Sequence, residues 1–206
     1  MRIFLVVFCL LSMTSIKSQI TQGNWLLGGT ANFSTSTQET AVSTGIQKST
    51  YLNYSIAPNV GYFFMDKFAG GLKAGITNGK ADYGDLRQGG VAVASGGYSY
   101  ATWFDLGPFA RYYLLSMDKQ FNLFAEGNYM YGIASFHPSK ATRHSYSFKA
   151  GPVIYFNSSV GLEFTVGYSS ERTQHFHPDT NELMYSSKIN ALQVGLGFQF
   201  YLERGK

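Results

Sequence analysis

The chain has 206 residues, of which only 14% are charged while 17% are aromatic and 23 are glycine; ordinary soluble domains carry about 25% charged residues. The net charge is +4, but without Arg2 and Lys17 of the N-terminal leader 14 basic residues face 12 acidic ones and no basic stripe is left, which excludes a nucleic-acid footprint. After Gln19 no apolar run approaches the roughly 18 residues of a membrane helix, which excludes a helical membrane protein.

Residues 1–18 read as an export signal. Arg2 supplies the positive start, Ile3 to Leu11 the short apolar run, and Ser12 to Ser18 a small and polar exit, with cleavage expected after Ser18. The alternative is an uncleaved anchor. The single cysteine, Cys9, falls inside this segment, so residues 19–206 form neither a disulfide nor a thiolate metal site. Val6-Val7-Phe8 ahead of Cys9 lacks the small residues of a lipidation signal.

From Trp25 onward apolar and polar residues alternate with period two, the pattern of strands with one apolar and one polar face. Eight strands are predicted, at 23–34, 50–65, 67–78, 98–116, 119–136, 144–156, 160–170 and 186–202. In the second, Ile56, Pro58, Val60, Tyr62 and Phe64 share a face. In the third, Leu72, Ala74 and Ile76 oppose Gly71, Lys73 and Gly75, and in the seventh, Leu162, Phe164 and Val166 oppose Gly161, Glu163 and Thr165. The connections are tight at 66, 117–118 and 157–159, medium at 137–143, and long and polar at 35–49, 79–97 and 171–185. Short turns on one rim and long loops on the other match an outer-membrane barrel.

Four segments repeat one signature: Ala57-Pro58 to Tyr62, Gly107-Pro108 to Tyr112, Gly151-Pro152 to Phe156 and Gly195-Leu196 to Phe200. Their even spacing implies one hairpin unit used repeatedly. The sum is an all-β fold, an eight-stranded antiparallel up-and-down transmembrane β-barrel over residues 19–206. Pro58, Pro108 and Pro152 each delete a ladder hydrogen bond, so bulges or bends are expected there, eased by the small residue before each proline.

Period two does not say which face is concave, and a soluble lipocalin-like barrel would turn its apolar face inward. Volume favours the opposite. An eight-stranded bore is just wide enough for its side chains, and the polar face is rich in Gly61, Gly71, Gly75, Gly161, Gly167 and Gly197. The bulky face then turns to lipid, with aromatics near the turns (Tyr62, Phe68, Tyr112, Phe121, Phe156, Phe200) and near the loops (Phe33, Tyr129, Tyr131, Tyr146, Tyr168) as two girdles.

The inward face holds Lys73, Arg111 and Lys149 against Asp105, Glu126 and Glu163, a balance that predicts a buried ion network filling the bore. A two-residue reversal at Asp118-Lys119 opposes Leu114 to Leu123, Tyr112 to Ala125 and Arg111 to Glu126. Arg111→Ala is accordingly expected to destabilise more than the same change combined with Glu126→Ala. The functional alternative for these charges is a gate or ion pathway.

Catalytic and metal signals are weak. His137-Pro138-Ser139 and His144-Ser145 place histidine beside serine, but a nucleophile needs its base within reach and a third group behind it, and Glu163 is predicted near the opposite rim. His175 and His177 with Asp179 offer an HxH pattern, short of the three or four placed ligands of a metal site. No catalytic residue and no cofactor is expected.

Ala57-Pro58 through Gly61-Tyr62-Phe63-Phe64, Leu106-Gly107-Pro108-Phe109-Ala110-Arg111-Tyr112-Tyr113 and Gly151-Pro152-Val153-Ile154-Tyr155-Phe156 resemble the small outer-membrane β-barrel domain proteins of Bacteroidetes, porin-family barrels related in shape to the OmpA and OmpX types. The tail Glu203-Arg204-Gly205-Lys206 departs from the terminal aromatic on which many such barrels end. The resemblance implies the barrel fold and says little of activity; the chain reads as a monomeric integral protein of the bacterial outer membrane, in contact with lipid and lipopolysaccharide, with a structural or surface-interaction role expected. The long loops are the expected contact for an extracellular partner. A narrow channel for small or hydrophobic solutes is the alternative, and a lipid-A-modifying enzyme the second.

Overall fold

The computed structural model describes residues 20–42, 45–116, 119–135, 140–177, 180 and 182–203. The export signal at 1–18 lies outside them. Nine strands run in chain order: β1 (Trp25–Val42), β2 (Gly45–Met65), β3 (Phe68–Gln88), β4 (Val91–Ala94), β5 (Gly97–Tyr113), β6 (Phe121–Ser135), β7 (Lys140–Tyr155), β8 (Val160–Phe176) and β9 (Leu183–Leu202). Eight of them, all but β4, pair antiparallel with both neighbours, and β9 returns to β1 to close the ring. Closure leaves the barrel wall without a free edge. The short β4 pairs with the tip of β3, from Leu86 to Gln88.

The strands are longer than the sequence reading expected. Segments 35–49, 79–97 and 171–185, read as loops, are largely hairpin: β1 and β2 stay paired up to Val42 and Gly45, and β8 and β9 up to Phe176 and Leu183. The Thr- and Ser-rich stretches there retain the β-branched residues that strands accept, and pairing satisfies every other peptide group beyond the apolar band. Gly89 and Gly90, at φ 59° and 86°, turn the β3–β4 hairpin in the left-handed region that a tight reversal demands.

On the opposite rim the turns are tight. Lys67 is left-handed at φ 67°, and the backbone N–H of Gln22 donates to Asp66 Oδ1 at 2.9 Å. The β5–β6 register opposes Arg111 to Glu126 and Tyr112 to Ala125, and Leu114 N–H donates to the Leu123 carbonyl at 2.8 Å, as the sequence reading set them; Asp118 itself lies outside the described residues.

The prolines produce no bulge. On one side Pro58, Pro108 and Pro152 keep their partners Gly29, Leu72 and Leu123. On the other side the ladder skips two residues and resumes in the same register, between Ile56 and Asn59, Leu106 and Phe109, and Ala150 and Val153. The missing N–H thus costs a local gap and not an inserted residue. The glycine before the proline admits the close approach: a methyl group on Gly107 would overlap the Tyr129 carbonyl, and one on Gly151 the Phe164 carbonyl.

The faces are unambiguous. Leu72, Phe164 and Val194 are 54%, 43% and 53% exposed, while Arg111 and Glu126 inside the ring are 1% and 0% exposed. The inverted arrangement of a soluble ligand-binding barrel is therefore not adopted. Aromatics border the apolar band at both ends, with Trp25 edge-on to Tyr62 at 5.3 Å near the turns and Tyr129 against Tyr146 at 5.0 Å near the hairpins.

Candidate functional site

The lumen is built in layers, beginning at the turn rim. Inward positions of five strands supply Phe63, Tyr113, Phe124, Tyr155 and Tyr201, all buried, which pack with Leu26, Val153 and Ile20 of the incoming segment. The Tyr113 and Tyr201 hydroxyls lie 3.0 Å apart, and Tyr155 meets Tyr201 edge-on at 5.3 Å. Glycines make this possible by leaving room for large side chains of strands one or two places away. A Cβ on Gly61 would sit 2.8 Å from Phe109, and one on Gly161 would sit 2.8 Å from Val153. Sequence volume alone read this lumen as crowded by glycine, whereas side chains from nearby strands occupy the space those glycines vacate. Alternation placed Phe63 and Phe124 inside; nothing local announced that they meet.

Above the rings lies a buried ion network. Arg111 donates from Nε and Nη2 to Glu126 Oε2 at 3.0 and 2.6 Å, and from Nη1 to Glu163 Oε1 at 2.5 Å. Glu126 Oε1 also receives Lys73 in a short contact and Lys149 at 3.3 Å. Gln199 Nε2 donates to Glu163 Oε2 at 3.3 Å and exchanges hydrogen bonds with Asn59. The Arg111 guanidinium lies 4.3 Å from the Phe124 ring centre. Five strands (β3, β5, β6, β7 and β8) thus contribute ions at one height, and Glu126 is the hub. This revises one expectation: deleting Glu126 along with Arg111 strands Lys73 and Lys149, so Glu163 is the partner whose removal relieves Arg111→Ala.

Asp105 belongs to a second tier. Arg143 donates to its carboxylate from Nε at 3.1 Å and from Nη2 at 2.5 Å, reaches Thr77 Oγ1 at 3.2 Å, and lies 3.3 Å from Glu171. Its guanidinium is 4.6 Å from the Trp103 ring centre. The sequence reading missed Arg143 because it placed residues 137–143 in a loop, whereas β7 begins at Lys140 and alternation then carries Arg143 inward. Its signal was odd-numbered register with Lys149.

Above Arg143 the lumen opens into a cavity of about 630 Å³. Its walls carry Tyr51, Tyr83, Tyr185 and Trp103 with Asn53 and Thr173. His175 stacks on Tyr185 at 4.3 Å, and burial holds its imidazole below the ordinary value of 6.5. His177 pairs through its backbone with Glu182 at 2.9 Å, and Asp179 lies outside the described residues. Among the described residues no three His, Cys, Asp or Glu side chains converge as a metal site would require.

The described serine–histidine candidate does not assemble. His137 and Ser139 fall outside the described residues. His144 faces outward, where its Nδ1 lies 2.7 Å from the Tyr129 hydroxyl, while its neighbour Ser145 points to the other face of β7 and Glu163 is bound to Arg111. Adjacent residues on a strand cannot share a face.

No family model and no curated protein matches the chain. Among solved structures, the outer membrane protein OprG from Pseudomonas aeruginosa superposes with a TM-score of 0.62 at 14% identity, over 91% of this chain and 100% of that one. The fold is that of a small outer-membrane β-barrel. Neisserial surface protein A (NspA) and the N-terminal barrel of Pseudomonas aeruginosa OprF align over 87% and 88% of this chain at 12% and 10% identity and TM-scores of 0.42 and 0.39. In this barrel the buried ions face the lumen, packed in its lower half and bordering a cavity in its upper half.

Proposed function

We propose that the protein is an integral outer-membrane barrel, exported by residues 1–18, that crosses the bilayer as a closed plug, presents its hairpins to the exterior, and has a surface-interaction role without catalysis. The apolar band and its aromatic borders support residence in a bilayer, with outer-membrane lipid and lipopolysaccharide as its surroundings. Short turns on one rim and extended hairpins on the other support an outward-facing hairpin rim.

One observation carries the choice of a plug over a channel. Arg111, Glu126, Glu163, Gln199 and the rings beneath them are at most 3% exposed, so no water-filled path crosses that height. A pore needs polar groups facing water, whereas these ions face one another. Planar-bilayer recording of the refolded chain checks this: no discrete conductance steps are expected. Steps of constant size, altered by Arg111→Ala, would establish the channel instead.

A further inference from the structure

We propose that the cavity at the hairpin rim is a binding site for a small uncharged saccharide, of one or two sugar rings. This rests on the reading of that rim as the outer one. At about 630 Å³ the cavity falls within the usual range of about 300–1,000 Å³ for small-ligand sites.

The charges on its floor are already spent. Arg143 is bound by Asp105 through two hydrogen bonds, by Thr77 and by Glu171, and is only 4% exposed. Lys80 turns its ammonium to the other face of β3, 4.2 Å from the Tyr98 ring centre. Arg143 set against Asp105 and Glu171 leaves an anion nothing to gain, and a cation finds both carboxylates already bound by Arg143. A ligand must be held by apolar faces and neutral hydrogen bonds.

Both are supplied on opposite walls. Tyr51 and Tyr83 meet edge-on at 6.5 Å, so their planes offer two differently directed faces, and Tyr185 presents a third, braced by the stacked His175. Such faces suit the C–H surface of a sugar ring, and the Tyr hydroxyl adds a polar tip. Burial raises the Tyr51 and Tyr185 hydroxyls above the ordinary 10.0, which keeps them proton donors at neutral pH. Asn53 and Thr173 add amide and hydroxyl partners. All of these side chains stand on paired strands, so little freedom remains to be lost on binding.

Trp103 on the cavity wall and Trp25 at the turn rim are the two tryptophans of the chain, so a Trp25→Phe background isolates a reporter in the site. The full chain is refolded in dimethylamine-oxide micelles, whose headgroup carries no sugar, phosphate or choline, and titrated with maltose and with N-acetylglucosamine. A saturable change in Trp103 emission is expected with at least one sugar, weakened about tenfold or more by Tyr51→Ala and by Tyr185→Ala and unaffected by Tyr112→Ala on the outer girdle. Each variant is first shown to be folded by its heat-modifiable migration on a gel. No saturable response to either sugar, a response that survives both tyrosine changes, or tighter binding of inorganic phosphate or choline would overturn the proposal. Conductance reports separately on the plug, so a silent cavity in a non-conducting barrel defeats the saccharide site and leaves the sealed barrel standing.

Discussion

The turn-side and hairpin-side halves of this barrel are made by the same strands with the same alternation, yet one is solid and the other hollow. Toward the turns, inward glycines lie among the rings, and a ring can fill the room left by a glycine two strands away, as Phe109 of β5 does at Gly61 of β2. Toward the hairpins, Asn53, Ser99, Ala101, Thr173 and Ser187 interleave with Tyr51, Tyr83 and Tyr185, whose rings line the wall and leave a gap in the middle. Lumen filling is thus decided by whether the large side chains meet across the centre, as Tyr113 and Tyr201 do, and not by how polar the inward positions are. The ions follow the same division: Glu126, serving three cations, lies where nothing else can solvate it, whereas Arg143 sits just below the open cavity.

The largest contrast between the halves is expected at Glu126. Glu126→Ala leaves Lys73, Lys149 and part of Arg111 buried without a counter-charge and should cost about 3–5 kcal/mol. Tyr185→Ala in the hollow half should stay within about 0.5 kcal/mol. Urea unfolding in lipid vesicles measures both. Within the network, adding Glu163→Gln should recover part of the loss caused by Arg111→Ala, whereas adding Glu126→Ala should deepen it; the reverse order would break the hub assignment.

Glycines give the next test. Gly61→Val must displace Phe109, 2.8 Å from the added Cβ, and should cost about 1–3 kcal/mol. Gly97→Val, where nothing lies within 4 Å of the added carbon, should be nearly neutral. Equal losses in the same unfolding assay would mean that glycine serves only the strand backbone.

The smallest effect belongs to His175. Burial lowers its folded pKa below 6.5, so on acidification the unfolded chain takes up the proton first. Its contribution to stability is fully present above pH 6.5 and is lost as pH falls through the lowered folded value. The unfolding midpoint of the hairpin-side rim should therefore decline slightly below pH 6.5 in the wild type and less in His175→Asn.

Much of this architecture was legible one residue at a time. Alternation assigned Leu72 and Phe164 outward and Lys73, Arg111 and Glu126 inward, and a single tight reversal set Arg111 against Glu126, because ladder register is a local property of turn length. The strand ends were legible only as a loss of apolar residues, so paired Thr- and Ser-rich hairpins read as loops, and Arg143 with them. Proline signalled a lost hydrogen bond at 58, 108 and 152 but not that the register would survive it.

Sequence by itself determined the all-β class, the strand faces and the neighbour-to-neighbour register, since these follow from a two-residue period and short connections. Only the closed ring decided that Glu163 reaches Arg111 from β8, that Gln199 meets Asn59 across the β9–β1–β2 wall, and that three tyrosines from separate hairpins share one cavity. Those contacts span a lumen, and their distances depend on strand count and stagger around the whole circumference, a quantity no local pattern contains.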